Sequence, residues 1–284
     1  MPVIALPDGA AMSYAEHGAG GPILLVHGWA GNSDFFQDLA SRLGKSHRVI
    51  VPTLRAHPGS DAGAAALTIE TLAQDLVHLT GALDLRGAVA VGWSMGAMAL
   101  WAAAPALAGR VDGYVIEDMA PRLVNDASWQ FGLAGDYGAD DVDVTLAEIR
   151  ADWPAYVARF APRMFAPGFA AAHPELVAWA AAEMSKADAG AMASYWASMA
   201  RQDFRAALTR IVQPMLVIHG GESQVYPDGA TAFVAHAAPN GARTVISGAG
   251  HVPHLEAAEA FFNQVDAFVR AVRRSDVKSG GALP

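Results

Sequence analysis

The stretch Gly92-Trp93-Ser94-Met95-Gly96 sets a hydroxyl between two kinds of sequence. The apolar run Ala88-Val89-Ala90-Val91 precedes it. A helix-forming run, Ala97 to Ala104, follows and meets Pro105. Strand, tight turn centred on a serine, then helix is the context that gives a G-x-S-x-G match its chemical meaning. Such a turn holds the serine backbone in a sparsely populated conformation, so its neighbours must be small, as Gly92 and Gly96 are. The hydroxyl then projects above the sheet, and the following helix aims its positive N-terminal end at the reaction centre. The backbone N–H of Met95 is set to face a developing oxyanion. The plainer reading is a glycine-rich turn with an ordinary serine, in a chain with 28 glycines.

A serine nucleophile needs a base. His251 stands just past the last apolar run, in Gly248-Ala249-Gly250-His251, and downstream of the serine as the order serine, acid, histidine requires. Imidazole titrates near neutrality, so it can take the hydroxyl proton and return it to a leaving group. With ten histidines present, position decides. His254 is the nearest rival. His27 and His219 also follow apolar runs, where ring hydrogen bonds would hold loops.

The elements that must position this pair alternate. Val3–Leu6 and Met12–Glu16 flank the turn Pro7-Asp8-Gly9 and predict a hairpin. Ile23–Val26, Val49–Val51, Val111–Ile116, Met215–Ile218 and Thr244–Ile246 predict further strands. Between them lie helical patterns: Phe35, Phe36, Leu39 and Leu43; Leu72, Leu76 and Leu79; Gly229–His236; and a last helix from about Glu256 to Val272. Alternation of this kind implies βαβ units, a mostly parallel central sheet with helices on both faces, and chemistry at the carboxyl ends of the strands.

Between residues 122 and 208 the rhythm breaks. No strand is predicted there, aromatics abound, and Pro154, Pro162, Pro167 and Pro174 divide the segment into short helices. It reads as a helical lid inserted into a core formed by residues 1–121 and 209–274. Most of its aromatics would form its own core. A few would line an apolar pocket above Ser94. The tail, 275–284, is polar and glycine-rich and is expected to be disordered.

Composition narrows the classes. The chain has 284 residues, 53% hydrophobic and 17% charged, which suits a sheet buried on both faces. Net charge is −9 and no long basic run exists, so nucleic acid is not an expected partner. There is no cysteine, which excludes thiol catalysis, disulfides and cysteine metal sites. No H-E-x-x-H or similar ligand spacing and no early G-x-G-x-x-G is present, so neither a metal nor a cofactor is expected. The N-terminus lacks the charge and apolar core of a signal peptide, and no apolar stretch is long enough to span a membrane. The expectation is a soluble cytoplasmic protein whose oligomeric state is not readable.

His27-Gly28-Trp29, Gly92-Trp93-Ser94-Met95-Gly96, Asp118-Met119-Ala120-Pro121 and Gly250-His251 with Pro253 and Glu256 together resemble the α/β-hydrolase superfamily. The likeness is to its branch of esterase-like and cofactor-free haloperoxidase-like enzymes, and it runs from about residue 10 to 272. It implies the α/β-hydrolase fold, a lid over the site, and an oxyanion hole from the N–H groups of Trp29 and Met95. It also implies a third triad member. The family usually places an aspartate four residues before a proline after the strand that follows the lid, and counting back from Pro227 gives Ser223. The acid is therefore Asp118, as in branches where the carboxylate precedes the lid, or else Glu222, with Glu117 behind both. Its task would be to hold the imidazole tautomer and stabilise the imidazolium. Asp118 could instead cap the first turn of the lid.

Trp93, His27, Trp129, Trp153 and Trp196 are the candidate pocket residues. The lid aromatics favour an apolar acyl or ring group, and with no cluster of Lys or Arg near the mouth, Arg55 and Arg122 excepted, a highly anionic substrate is not expected. The resulting expectation is a serine hydrolase acting on a small, largely apolar carboxylic ester, lactone or thioester through an acyl-enzyme. Two other readings stay open on the same residues: carbon–carbon cleavage, lyase, oxygenase or perhydrolase chemistry, and a ligand receptor on a hydrolase scaffold.

Overall fold

The computed structural model describes residues 1–134 and 136–279. An eight-stranded sheet runs in the order β1-β2-β4-β3-β5-β6-β7-β8. The hairpin β1 (Val3–Ala5) and β2 (Ala11–His17) is antiparallel, and β2 joins β4 (Arg48–Pro52) antiparallel. From there β3 (Pro22–Val26), β5 (Ala88–Trp93), β6 (Val111–Glu117), β7 (Met215–Gly220) and β8 (Gly241–Ile246) are parallel. Every residue of β5 and of β7 is buried, so both faces of the sheet are covered there. Residue composition explains it: β5 is Ala-Val-Ala-Val-Gly-Trp, with no polar face to offer water.

Helices α1 (Gln37–Leu43), α2 (Ile69–Ala82) and α3 (Met95–Leu107) belong to the first half of the core, and α2 packs on α3. Thr68 caps α2 by accepting from Thr71 N–H at 3.2 Å. Pro105, expected to end α3, lies inside its last turn. There its missing N–H removes only one bond, to the Trp101 carbonyl.

Between β6 and β7 the described residues form helices and loops but no strand. The first part, through Gly138, is turns and one isolated bridge, Asp126–Trp129. Then come α4 (Ala139–Ala151), α5 (Trp153–Phe160), α6 (Pro167–Ala172), α7 (Pro174–Ser185), α8 (Ala189–Ala200) and α9 (Arg205–Leu208). Pro154, Pro167 and Pro174 each stand in the first turn of a helix, where no donor is lost. The core closes with α10 (Asp228–Ala237), α11 (Pro253–Glu256) and α12 (Ala258–Ser279), α12 packing on α1.

The last helix differs from expectation at both ends. A break at Ala257 separates the four-residue α11 from α12, and α12 runs on to Ser279 through residues assigned to a disordered tail. The rest of that expected tail, 280–284, lies outside the described residues. No helix among the described residues is long and apolar enough to cross a membrane.

One rung of the sheet matters for chemistry. Trp93 pairs with Glu117, Glu117 with Ile218, and Ile218 with Thr244. Ser94, Asp118 and His219, each the next residue, therefore stand side by side at one edge, and the loop after β8 brings His251 to the same edge.

Candidate active site

Ser94 is the N-cap of α3, with φ 52° and ψ −122°. Left-handed φ is costly for a residue with a Cβ, and it persists here because the surroundings over-determine it. Its N–H donates to the Glu117 carbonyl at 3.0 Å and its carbonyl accepts from Ala97 at 2.8 Å. A Cβ on Gly92 would stand 2.8 Å from the Ala97 backbone, and one on Gly96 would collide with the Val26 carbonyl oxygen. The two glycines let strand, elbow and helix approach this closely. Met95 is the first residue of α3, so its N–H has no partner one turn back in the helix.

Asp118 also has positive φ, 42°, and its side chain is fully buried. Its two oxygens accept three bonds. Oδ2 takes His251 Nδ1–H at 2.7 Å and Ser223 Oγ–H at 2.7 Å, and Oδ1 takes His219 Nδ1–H at 2.6 Å. Burial alone would raise the Asp118 pKa. The bonds from His219 and His251 outweigh it and hold the carboxyl below its usual range. With its Nδ1–H donating to Asp118, His251 keeps its lone pair on Nε2. The ring is fixed further: His251 N–H donates to the Met164 carbonyl at 2.7 Å, its own carbonyl accepts Trp93 Nε1–H at 3.0 Å, and Tyr226 packs beside it.

Ser94 and His251 line one small cavity of about 20 Å³. A void of that size holds about one water. The other walls are apolar or aromatic and come largely from the insertion: Leu123, Leu133, Phe160, Met164, Trp196 and Met199. A larger outer chamber of about 530 Å³ opens beyond it, lined by Tyr137, Thr145, Tyr156 and Arg163 among others. Leu133, Phe160, Trp196 and Val225 line both, so they form the partition between them.

Trp29 is held from above. Its indole N–H donates to the Met192 carbonyl at 2.9 Å, and its ring meets Trp153, Tyr156, Phe160 and Trp196 edge-on. Glu256 clips the insertion to the histidine loop, accepting Gly250 N–H and Ala166 N–H, each at 2.7 Å. Its burial raises its pKa.

Of the expected pocket residues, Trp93 and Trp196 line the cavity, and three do not. His27 lies beneath the loop instead. Its Nε2 accepts from Leu54 N–H at 2.9 Å and its Nδ1 donates to the Gly28 carbonyl at 2.8 Å. Burial keeps it neutral, holding its pKa well below the ordinary value. Trp129 packs outward between Phe131, Phe233 and the Arg205 guanidinium. Trp153 stands behind Trp29, one ring removed from the cavity. Helical spacing and aromatic identity do not say which side of an insertion faces the sheet.

Glu222, the alternative acid, is exposed, and among the described residues its carboxylate joins neither imidazole. Glu117 is occupied by the rival histidine: Oε1 accepts both His254 N–H at 3.0 Å and His254 Nδ1–H at 2.8 Å. Of the two cations expected near the mouth, Arg55 is buried between Asp75 and Asp8, and Arg122 pairs with Asp126. Two partners of Asp118 were not foreseen, His219 and Ser223. The available signal was their position: both follow the strand next to β6.

The sheet order, the strained elbow after β5 and the histidine loop after β8 define an α/β-hydrolase architecture, and comparison agrees. A family model described as alpha/beta hydrolase fold matches residues 21–258, and the chain belongs to that family of enzymes. It is similar to a pimeloyl-[acyl-carrier protein] methyl ester esterase of Vibrio cholerae, 26% identical over 260 residues, covering 91% of this chain and 98% of that protein. A non-heme chloroperoxidase of Streptomyces lividans is 31% identical over 235 residues, 80% of this chain and 84% of that one. Among solved structures, an esterase from Exiguobacterium antarcticum superposes with a TM-score of 0.86 at 23% identity, covering 94% and 98% of the two chains, which speaks for the fold.

Proposed function

We propose that this hydrolase cleaves small, largely apolar carboxylic esters or lactones through a Ser94–His251–Asp118 triad, with the helical insertion as its lid. The observation that carries this reading is the buried bond from His251 Nδ1 to Asp118, with the other edge of the ring on an apolar cavity beside Ser94. His251 Nε2 takes the Ser94 proton as Oγ attacks the carbonyl carbon. The N–H groups of Trp29 and Met95 receive the oxyanion. The imidazolium then protonates the leaving alcohol, and the acyl group stays on Ser94. A water gives its proton to His251 and attacks the acyl carbon, and the imidazolium returns that proton to Ser94 Oγ as the acid departs. Low local polarity strengthens each of these charge interactions.

The test is hydrolysis of p-nitrophenyl esters from acetate to decanoate. The expected result is turnover that is fastest on the shortest acyl groups, because little free volume lies next to Ser94. A folded enzyme inert on the whole series would contradict the reading. The chloroperoxidase relative favours one second possibility, attack of hydrogen peroxide on the same acyl-enzyme to give a peracid. Running the assay with peroxide and bromide reads that reaction.

The partition sets a further expectation. Phe160 is half-buried and touches both chambers, so Phe160→Ala joins them. The chain-length optimum should move to longer esters, with acetate turnover within about threefold of wild type, since the Phe160 ring packs on Trp29, Tyr156 and Trp196 and forms no hydrogen bond with the triad. An unchanged optimum would place the acyl site elsewhere.

A further inference from the structure

The peptide that joins Gly28 to Trp29 lies against the nucleophile: a Cβ on Gly28 would stand 3.1 Å from Ser94 Cβ. Its carbonyl end is held by the core. The Gly28 oxygen accepts His27 Nδ1–H at 2.8 Å and Gly31 N–H at 3.1 Å. A trans peptide points its N–H opposite its C=O, so these bonds turn the Trp29 N–H away from His27. The Gly31 bond closes a turn in which Ala30 takes φ 58°, a left-handed value that is costly for a residue with a Cβ. Both bonds act at the oxygen, and neither fixes how far the N–H end reaches.

The Trp29 side chain is gripped from the other direction. Its indole N–H donates to the Met192 carbonyl at 2.9 Å. Met192 lies in the first half of α8, where the same carbonyl also serves the helix ladder and is fixed by it. Helix α8 is in turn tied back to the core. Tyr195 Oη–H donates to the Arg55 carbonyl at 3.0 Å, and Ser198 Oγ accepts Ile69 N–H at 3.0 Å, both bonds buried. Arg55 is itself clamped between Asp8 and Asp75. Edge-on ring contacts on Trp29 tolerate sliding, whereas a hydrogen bond is directional.

We propose that α8 completes the oxyanion hole: by gripping the Trp29 indole, the Met192 carbonyl sets the Trp29 N–H against the N–H of Met95. The inference rests on the oxyanion reading above. The Trp29 indole is then a positioning group, and the insertion supports the catalytic machinery as well as covering the pocket.

Donors to an oxyanion help only when they are aimed at the place where charge develops. The ground-state carbonyl carries little of that charge, so a misplaced donor costs the transition state more than bound substrate. Loss of the indole bond should therefore appear in kcat and leave KM nearly alone.

The test removes the indole N–H and keeps its shape. Trp29 is replaced by benzothienylalanine, in which sulfur stands where the N–H was, and Trp29→Phe serves as a second variant. For each, kcat and KM on p-nitrophenyl acetate are measured per active site, counted by fluorophosphonate capture. Affinity for ethylboronic acid is measured beside them. Boron bonds to Ser94 Oγ, the hydroxyl proton passes to His251, and an oxygen of the anionic tetrahedral adduct occupies the oxyanion hole. The isostere is expected to lower kcat about tenfold with KM within about twofold, and to weaken the boronate by the same factor. Its unfolding temperature should stay within a few degrees of wild type. Trp29→Phe should repeat the kinetic pattern with a larger loss of stability. A purely structural tryptophan gives the opposite, lost stability with kcat per site and boronate affinity unchanged, and that result would overturn the proposal while ester turnover kept the hydrolase reading standing. A wild type inert on esters whose boronate affinity still falls tenfold in the isostere would uphold the proposal and contradict the ester reading.

Discussion

Ser94→Ala is expected to lower ester turnover by about 10⁵-fold while the protein stays folded. The change removes one oxygen from a side chain that, among the described residues, makes no bond holding the elbow. The elbow is set by backbone bonds, Ser94 N–H to Glu117 and Ala97 N–H to Ser94, and by Gly92 and Gly96. Alanine has the same Cβ and meets the same strain at φ 52°. Thermal stability should therefore match wild type within a few degrees, and KM should be nearly unchanged. A residual rate above water would remain, from the oxyanion donors and the closed cavity alone. Equal turnover in the variant would remove the nucleophile from the account.

Asp118→Asn is expected to cost about 10³- to 10⁴-fold in kcat. The carboxylate accepts three donors on two oxygens. An amide offers one acceptor and two N–H groups, so it meets either His219 or the pair His251 and Ser223 badly. Facing its N–H, His251 must accept on Nδ1 and carry its proton on Nε2, where it cannot serve as base. A second change makes the reasoning sharper. Ser223 Oγ stands 2.7 Å from the same Oδ2 that holds His251. Adding Ser223→Asp to Asp118→Asn puts a carboxylate within reach of that ring, and activity should recover about tenfold or more. Full activity in Asp118→Asn would point to another acid, and Glu222→Gln would then be compared in the same assay.

Much of this arrangement was readable beforehand. Alternating apolar runs and helical patterns announced the mostly parallel sheet, because fully buried strands cannot carry polar faces. The elbow announced itself through Gly92 and Gly96, which the packing of α3 against β3 and β5 requires. Asp118 and Glu222 could not be separated from sequence, because each ends a strand next to an expected neighbour. The rung Trp93–Glu117–Ile218 puts Asp118 under the histidine loop, while Glu222, past the end of β7, turns to solvent. The partners of Asp118 are 101, 105 and 133 residues away from it, and no local pattern reports contacts over that span. Aromatic identity misled for Trp129 and Trp153, since an insertion has an inner and an outer side and both are rich in rings. His27 is expected both among the pocket residues and as a holder of loops, and its two ring nitrogens are bonded to Gly28 and Leu54.

The most direct measurement is the site of covalent capture by a fluorophosphonate, an electrophile that stops at the serine adduct. Intact-mass and peptide mass spectrometry would be run on wild type, Ser94→Ala and His251→Ala. The expected result is one adduct per chain, on the peptide that holds Ser94, absent from Ser94→Ala and formed far more slowly in His251→Ala. An adduct on another residue, or ester turnover by an enzyme that takes up no label, would contradict the account.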